Sequence, residues 1–256
     1  MSIIVSENVK VDKKYNLIFS IGEACLCTQA LRNSKLQIYS YPFDWLFGGD
    51  FISRCEILAN KFERFIEKSD LEWAFSVRSI SCEAYHNKHN DLTFNHDFNK
   101  EVPFDKMYDI VKEKYNRRIS RLFQNIEKAN KILIVYTEAP IKNHPKIDDE
   151  VIIQGYDIIK KAINKDIDLL YIHNAKEKEF NQINLSENII KLTFDYKDYN
   201  AKEDYAPDMK KLNAVFQDYK LKLPLTYIIK KKIIKFFVCL IPFKEKRAKL
   251  RKKYHV

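Results

Sequence analysis

Leu17-Ile18-Phe19-Ser20-Ile21-Gly22-Glu23-Ala24-Cys25-Leu26-Cys27-Thr28-Gln29-Ala30-Leu31 decides how this chain is read. The short, mainly apolar run Leu17–Ile21, closed by Gly22, reads as a buried strand. Cys25–Leu31 follows at once, with Ala, Leu and Gln supporting a helix. The same alternation returns downstream. Ile132–Tyr136 reads as a second buried strand, with Val151–Ile163 as a helix behind it, and Leu169–Ile172 and Ile189–Phe194 read as the third and fourth strands. Strands alternating with helices predict an α/β fold, a mostly parallel sheet flanked by helices in a three-layer sandwich.

Two further helices fit between these strands. One starts at Asp50, a suitable cap. Its apolar positions Phe51, Ile52, Cys55, Leu58, Ala59, Phe62, Phe65 and Ile66 keep the helical period. The other runs from about Phe104 to Ala129. Between them, Trp73–Asn99 is aromatic and irregular, with His86, His89 and His96. Pro207 and Pro224 punctuate the approach to the C-terminal segment. The expected organisation is one domain over residues 1–221 and a basic amphipathic tail over residues 222–256.

Charge supports that division. The 256 residues carry 45 Lys+Arg against 35 Asp+Glu, a net +10. Residues 222–256 hold twelve of the bases and one acid, Glu245, so the tail is +11 and the body −1. A folded nucleic-acid-binding surface would carry its basic excess on the body, so no specific nucleic-acid partner is expected. Four glycines in the chain cannot supply either glycine-rich phosphate loop. Residues 1–14 lack an apolar stretch of signal-peptide length. Five irregularly spaced cysteines read as reduced thiols of a cytoplasmic protein. No metal or cofactor is expected, since Cys25-x-Cys27 lacks a second pair and His86/His89 lack a partner ligand.

In parallel sheets, sites gather where the chain leaves the carboxyl ends of strands. Gly22–Cys25, Thr137-Glu138 and His173-Asn174 are three polar loops that would share one edge. Cys25 would open a helix, where backbone N–H groups and the helix dipole favour an anion, so a thiol partly ionised near neutral pH is expected. A thiol nucleophile needs a base, and His96 and His173 are the candidates. Asp44, in Pro42-Phe43-Asp44-Trp45, reads either as a carboxylate orienting an imidazole or as a turn carboxylate beside two core rings. Arg117, Arg118 and Arg121 lie close on one helix and form either a fork for a carboxylate or phosphate, or a solvated face paired with acids such as Glu113.

These stretches together resemble a bacterial family of papain-like cysteine peptidases otherwise labelled as a domain of unknown function. The resemblance rests on Ser20-Ile21-Gly22-Glu23-Ala24-Cys25, Pro42-Phe43-Asp44-Trp45, His96-Asp97-Phe98, Tyr115-Asn116-Arg117-Arg118-Ile119-Ser120-Arg121 and Ile172-His173-Asn174, in that order. It implies Cys25 as nucleophile, His96 as base, and Asp44 or Asp97 as orienting carboxylate. Asp44 is preferred, because adjacent residues of an extended segment point to opposite faces. Gly22, Glu23, Trp45, Asp97, Arg117, Arg121 and His173 are the implied substrate-binding residues. Where the family often has an arginine after the second strand, this chain has Tyr136-Thr137-Glu138. The strand–glycine–nucleophile opening is also similar to lipase/acylhydrolase folds. The family's tendency to be encoded near surface-polysaccharide genes points to a glycan or acyl substrate.

The tail mixes Ile-Ile and Phe-Phe-Val-Cys-Leu-Ile with Lys230, Lys231, Lys232 and Lys235. Its longest apolar run, Phe236–Phe243, is far short of the roughly 20 residues that span a bilayer. A basic amphipathic helix suits an anionic membrane surface instead. The tail also resembles endings of bacterial glycosyltransferases. The expectation is thus a cysteine-dependent hydrolase or acyl-transfer enzyme, peripheral on the inner face of the inner membrane and linked to surface polysaccharide or lipopolysaccharide assembly. A non-catalytic scaffold of such a complex is the alternative.

Overall fold

A computed structural model describes residues 13–77, 80–141, 147–201 and 206–254. The leader reading at residues 1–14 falls almost wholly outside them. The chain forms two compact units, Met1–Leu221 and Lys222–Val256. In the first, β1 (Lys14–Tyr15) and β2 (Leu17–Ser20) lead into α1 (Cys25–Asn33). A 3-10 turn (Pro42–Trp45), β3 (Leu46–Gly48) and α2 (Phe51–Ala59) follow, then β4 (Leu71–Val77), β5 (Cys82–Asn87) and β6 (Leu92–Asn99). The remainder is α3 (Phe104–Lys128), β7 (Lys131–Thr137), α4 (Asp149–Ala162), β8 (Asp166–Asn174), β9 (Asn181–Ser186), β10 (Ile189–Phe194), α5 (Met209–Ala214) and β11 (Lys220–Leu221). The second unit holds α6 (Leu225–Cys239) and α7 (Lys244–Tyr254).

The body is mixed α/β. Its main sheet has the order β2-β7-β8-β10-β9, parallel except for the edge strand β9. Because all four parallel strands are largely buried, both faces need apolar cover. Phe19, Ile134, Tyr136, Leu169 and Tyr171 point into one cluster with buried residues of α2, α3 and α4. Ile18, Val135, Leu170 and Ile172 point into a second cluster with α1 and α5. Gly155 lets α4 approach α2, for a Cβ there would lie 2.3 Å from the Phe51 ring.

Three sequence expectations change. Trp73–Asn99 is not irregular: it supplies β4, β5 and most of a four-stranded antiparallel sheet ordered β3-β6-β5-β4. Register shifts at Trp73/Phe75 and Glu83/Tyr85 break the two-residue alternation that would have marked it. The helix capped by Asp50, whose carboxylate accepts from the Ser53 N–H at 2.8 Å, stops at Ala59 rather than Ile66. Lys61, Phe62 and Arg64 adopt positive φ (55°, 62° and 52°), so the chain turns while Phe62, Phe65 and Ile66 stay buried. Finally, the edge strand β9, where only Ile183 and Leu185 interrupt polar residues, is an element the sequence reading does not contain.

Candidate active site

β2 feeds α1 through Gly22-Glu23-Ala24, and the ladder continues past the strand end: Ile21 N–H donates to Val135 O and Glu23 N–H to Thr137 O. A Cβ on Gly22 would sit 2.7 Å from the Cys27 Cβ, so this position is held to glycine by packing. Cys25 is the first residue of α1. No side chain caps that helix start and its first turn has no acid. The N–H groups of this first turn therefore have neither a side-chain cap nor a preceding turn to donate to. Burial pushes the Cys25 thiol up, opposed by its own backbone N–H. The expected lowering of this thiol by the helix start is therefore outweighed by burial, which acts in the opposite direction. Cys27 lies against the sheet, fully buried, its thiol pushed up to about 12 by desolvation.

Arg54, fully buried on α2, organises this corner. Its Nη2 donates to Glu23 O (3.1 Å), Leu46 O (3.4 Å) and Gly48 O (2.6 Å), and its Nε to Gly48 O (2.9 Å) and Gly49 O (3.2 Å). Desolvation lowers its guanidinium to about 10. One nitrogen thus joins the loop two residues before Cys25 to the strand that follows Trp45. β3 pairs with β6 as Leu46↔Phe94, which carries His96 alongside the 3-10 turn, and the His96 ring meets Trp45 edge-on at 6.3 Å between centroids. The α1 face bearing Cys25 continues through Thr28 and Arg32. Thr28 Oγ1 donates to Asp44 (3.1 Å), and Arg32 lies 5.7 Å over Trp45. Asp44, Trp45 and His96 therefore meet along α1, with Cys25 one helical turn before Thr28. Among the described residues no histidine lies within hydrogen-bond reach of the Cys25 thiol.

The carboxylates expected to orient His96 have other partners. Asp44, fully buried, accepts from Thr28, Gln37 Nε2 (2.8 Å) and the Tyr41 N–H (2.9 Å), with Arg32 at 3.7 Å. It fastens α1 to the 3-10 turn. Asp97 points inward, opposite the exposed His96, and is held by Tyr115 OH (2.6 Å) and Lys114. The arginines form no fork: Arg117 pairs with Glu113, while Arg121 donates to Ser40 O (3.1 Å) and lies over Tyr39.

The three loops do share the carboxyl edge of the sheet. There the structure adds a pair that sequence reasoning missed. His173 Nδ1 lies 2.6 Å from Glu138 Oε2, and buried Glu138 also accepts from Tyr171 OH (2.7 Å) and the Asn174 N–H (3.1 Å). Glu23 reaches the same edge, accepting from the Ala139 N–H at 2.9 Å. The available signal was the parallel register Thr137↔Ile172, which follows once both strands are placed. Among the described residues no group of three His, Cys, Asp or Glu side chains could hold a metal. A separate cavity of about 340 Å³ lies over Tyr85, Phe98 and Phe104, and Cys25 does not line it.

The model of the family described as "Putative papain-like cysteine peptidase (DUF1796)" matches residues 16–169, which include Cys25, Asp44 and His96. The chain belongs to that family. The match leaves His173 and the tail outside, and the family description supports a cysteine hydrolase as the broad class. An uncharacterized protein of Acanthamoeba polyphaga mimivirus is 27% identical over 208 residues, 72% of this chain and 91% of the relative. That relative is viral, not bacterial. No solved structure matches significantly.

Proposed function

We propose that this family member is a cysteine-dependent hydrolase or acyl-transfer enzyme in which Cys25 is the nucleophile and His96 its base. The observation that supports the reading is the Arg54 bridge, which holds the Glu23 carbonyl, two residues before Cys25, beside β3, the strand that pairs with the His96-bearing β6. In the proposed reaction His96 takes the Cys25 proton as the sulfur attacks an acyl carbon. The carbonyl oxygen gains the electron pair and is held by the N–H groups of the first turn of α1. Collapse expels the leaving group, which takes the proton from His96. Water, or an acceptor hydroxyl, then attacks the thioester and regenerates the thiol. The chemistry is common to peptide, lipid-acyl and glycan-acyl substrates. A bacterial envelope-glycan setting rests on the motif and tail resemblances alone.

A second assignment of the base has its own support. Among the described residues His173 is the histidine with a bonded, buried carboxylate, which is how an imidazole is held in one tautomer and orientation. Alkylation kinetics separate the two. A half-buried thiol with a raised proton affinity reacts more slowly than exposed Cys239 unless a base assists it. The expected result is that Cys25 outpaces Cys239 and half-buried Cys82 at neutral pH. His96→Ala is expected to slow Cys25 by about 10²-fold or more, with His173→Ala close to wild type. The reverse pattern transfers the role to His173. Cys25 lagging Cys239 in wild type would favour the scaffold reading.

A further inference from the structure

We propose that α6 is a docking surface for an anionic lipid bilayer, lying in its interface without crossing it. This reading does not depend on the chemistry of Cys25. Leu225, Ile229, Ile233, Phe236, Phe237 and Leu240 are each 47–70% exposed. At about 100° per residue they fall within an arc of about 120° along one side of the helix. A stripe of six large apolar side chains open to solvent is larger than isolated surface residues require, and it asks for a partner.

The borders of the stripe identify that partner. On the same helical wheel Lys230 and Lys232 flank it on either side, so their stems can lie along the apolar face while the ammonium groups reach outward to the headgroup level. α7 continues with Lys244, Lys246, Arg247 and Lys249, and Glu245 is the one acid among residues 222–256. The unit therefore presents apolar area and positive charge along adjoining surfaces, the complement of acyl chains beneath anionic headgroups. α6 has 15 residues, about 22 Å of helix, and among the described residues no helix is long and apolar enough to cross a membrane. A second copy fits less well, since two +11 tails brought stripe to stripe would repel. An RNA backbone would use the lysines and leave the apolar stripe exposed.

The test is co-sedimentation of the full-length chain with phosphatidylcholine vesicles made with and without phosphatidylglycerol. Pelleting is expected with the anionic vesicles, falling as salt rises, and little with phosphatidylcholine alone. Phe236→Ser/Phe237→Ser should weaken it at least about tenfold, and Lys230→Glu/Lys232→Glu should also weaken it. An unchanged far-ultraviolet circular dichroism spectrum checks that each variant is folded. Four results would overturn the proposal: no pelleting with anionic vesicles, equal pelleting with neutral ones, undiminished pelleting of the Phe variant, or concentration-dependent dimerisation that the Phe variant abolishes.

Discussion

Arg54 and Cys25 show how far a side chain's surroundings redirect its role. Arg54 gives its charge to four backbone carbonyls, and a buried guanidinium removed from such a cage leaves each of them without its donor. Arg54→Met is expected to cost about 3–5 kcal/mol of unfolding free energy by denaturant titration. Lysine should not rescue it, because one ammonium cannot span the fork. For Cys25, burial raises the folded-state affinity for the proton, so the thiolate fraction at neutral pH is lower than that of a free thiol. Without its base, its alkylation should keep climbing with pH beyond the range where a free cysteine in solution levels off. A pH–rate profile of the variant lacking the base checks this.

At the scale of elements, the turn after α2 is the place where local preference and tertiary packing disagree. Phe62 and Phe65 are drawn into the aromatic cluster around Phe43 and Phe94, and the backbone takes up left-handed conformations at Lys61, Phe62 and Arg64 to put them there. Lys61 is exposed, so Lys61→Gly removes little packing and relieves a left-handed non-glycine residue. It should raise stability by about 1 kcal/mol, measured by chemical denaturation. The same conflict explains what was legible. Strands buried on both faces, such as β7 and β8, announce themselves as apolar runs, and α3 keeps one period over 25 residues. The antiparallel sheet was hidden because irregularities at Trp73/Phe75 and Glu83/Tyr85 reset the alternation once in each of two successive strands. Of the site, Cys25 could be read from a strand, a glycine and a helix start. The Glu138–His173 pair joins residues 35 apart and needed the register of two strands.

At the scale of the whole molecule, the proposed address and the proposed chemistry fall on different units, Lys222–Val256 and Met1–Leu221. Removal of residues 222–256 takes the net charge from +10 to −1, so the truncated chain should lose retention on a cation exchanger at neutral pH. Its Cys25 alkylation rate should match the full chain, since every group in the proposed reaction lies before Leu221. A rate that falls with truncation would tie the tail to the site. Within the body, one guanidinium ties the loop of the parallel sheet to the first strand of the antiparallel one. That has a consequence for any mutational screen scored by turnover. Changes at Arg54 will imitate the loss of a reacting group, although the side chain is sealed from solvent. A soluble-protein yield measured beside each activity will tell the keystone from the tool.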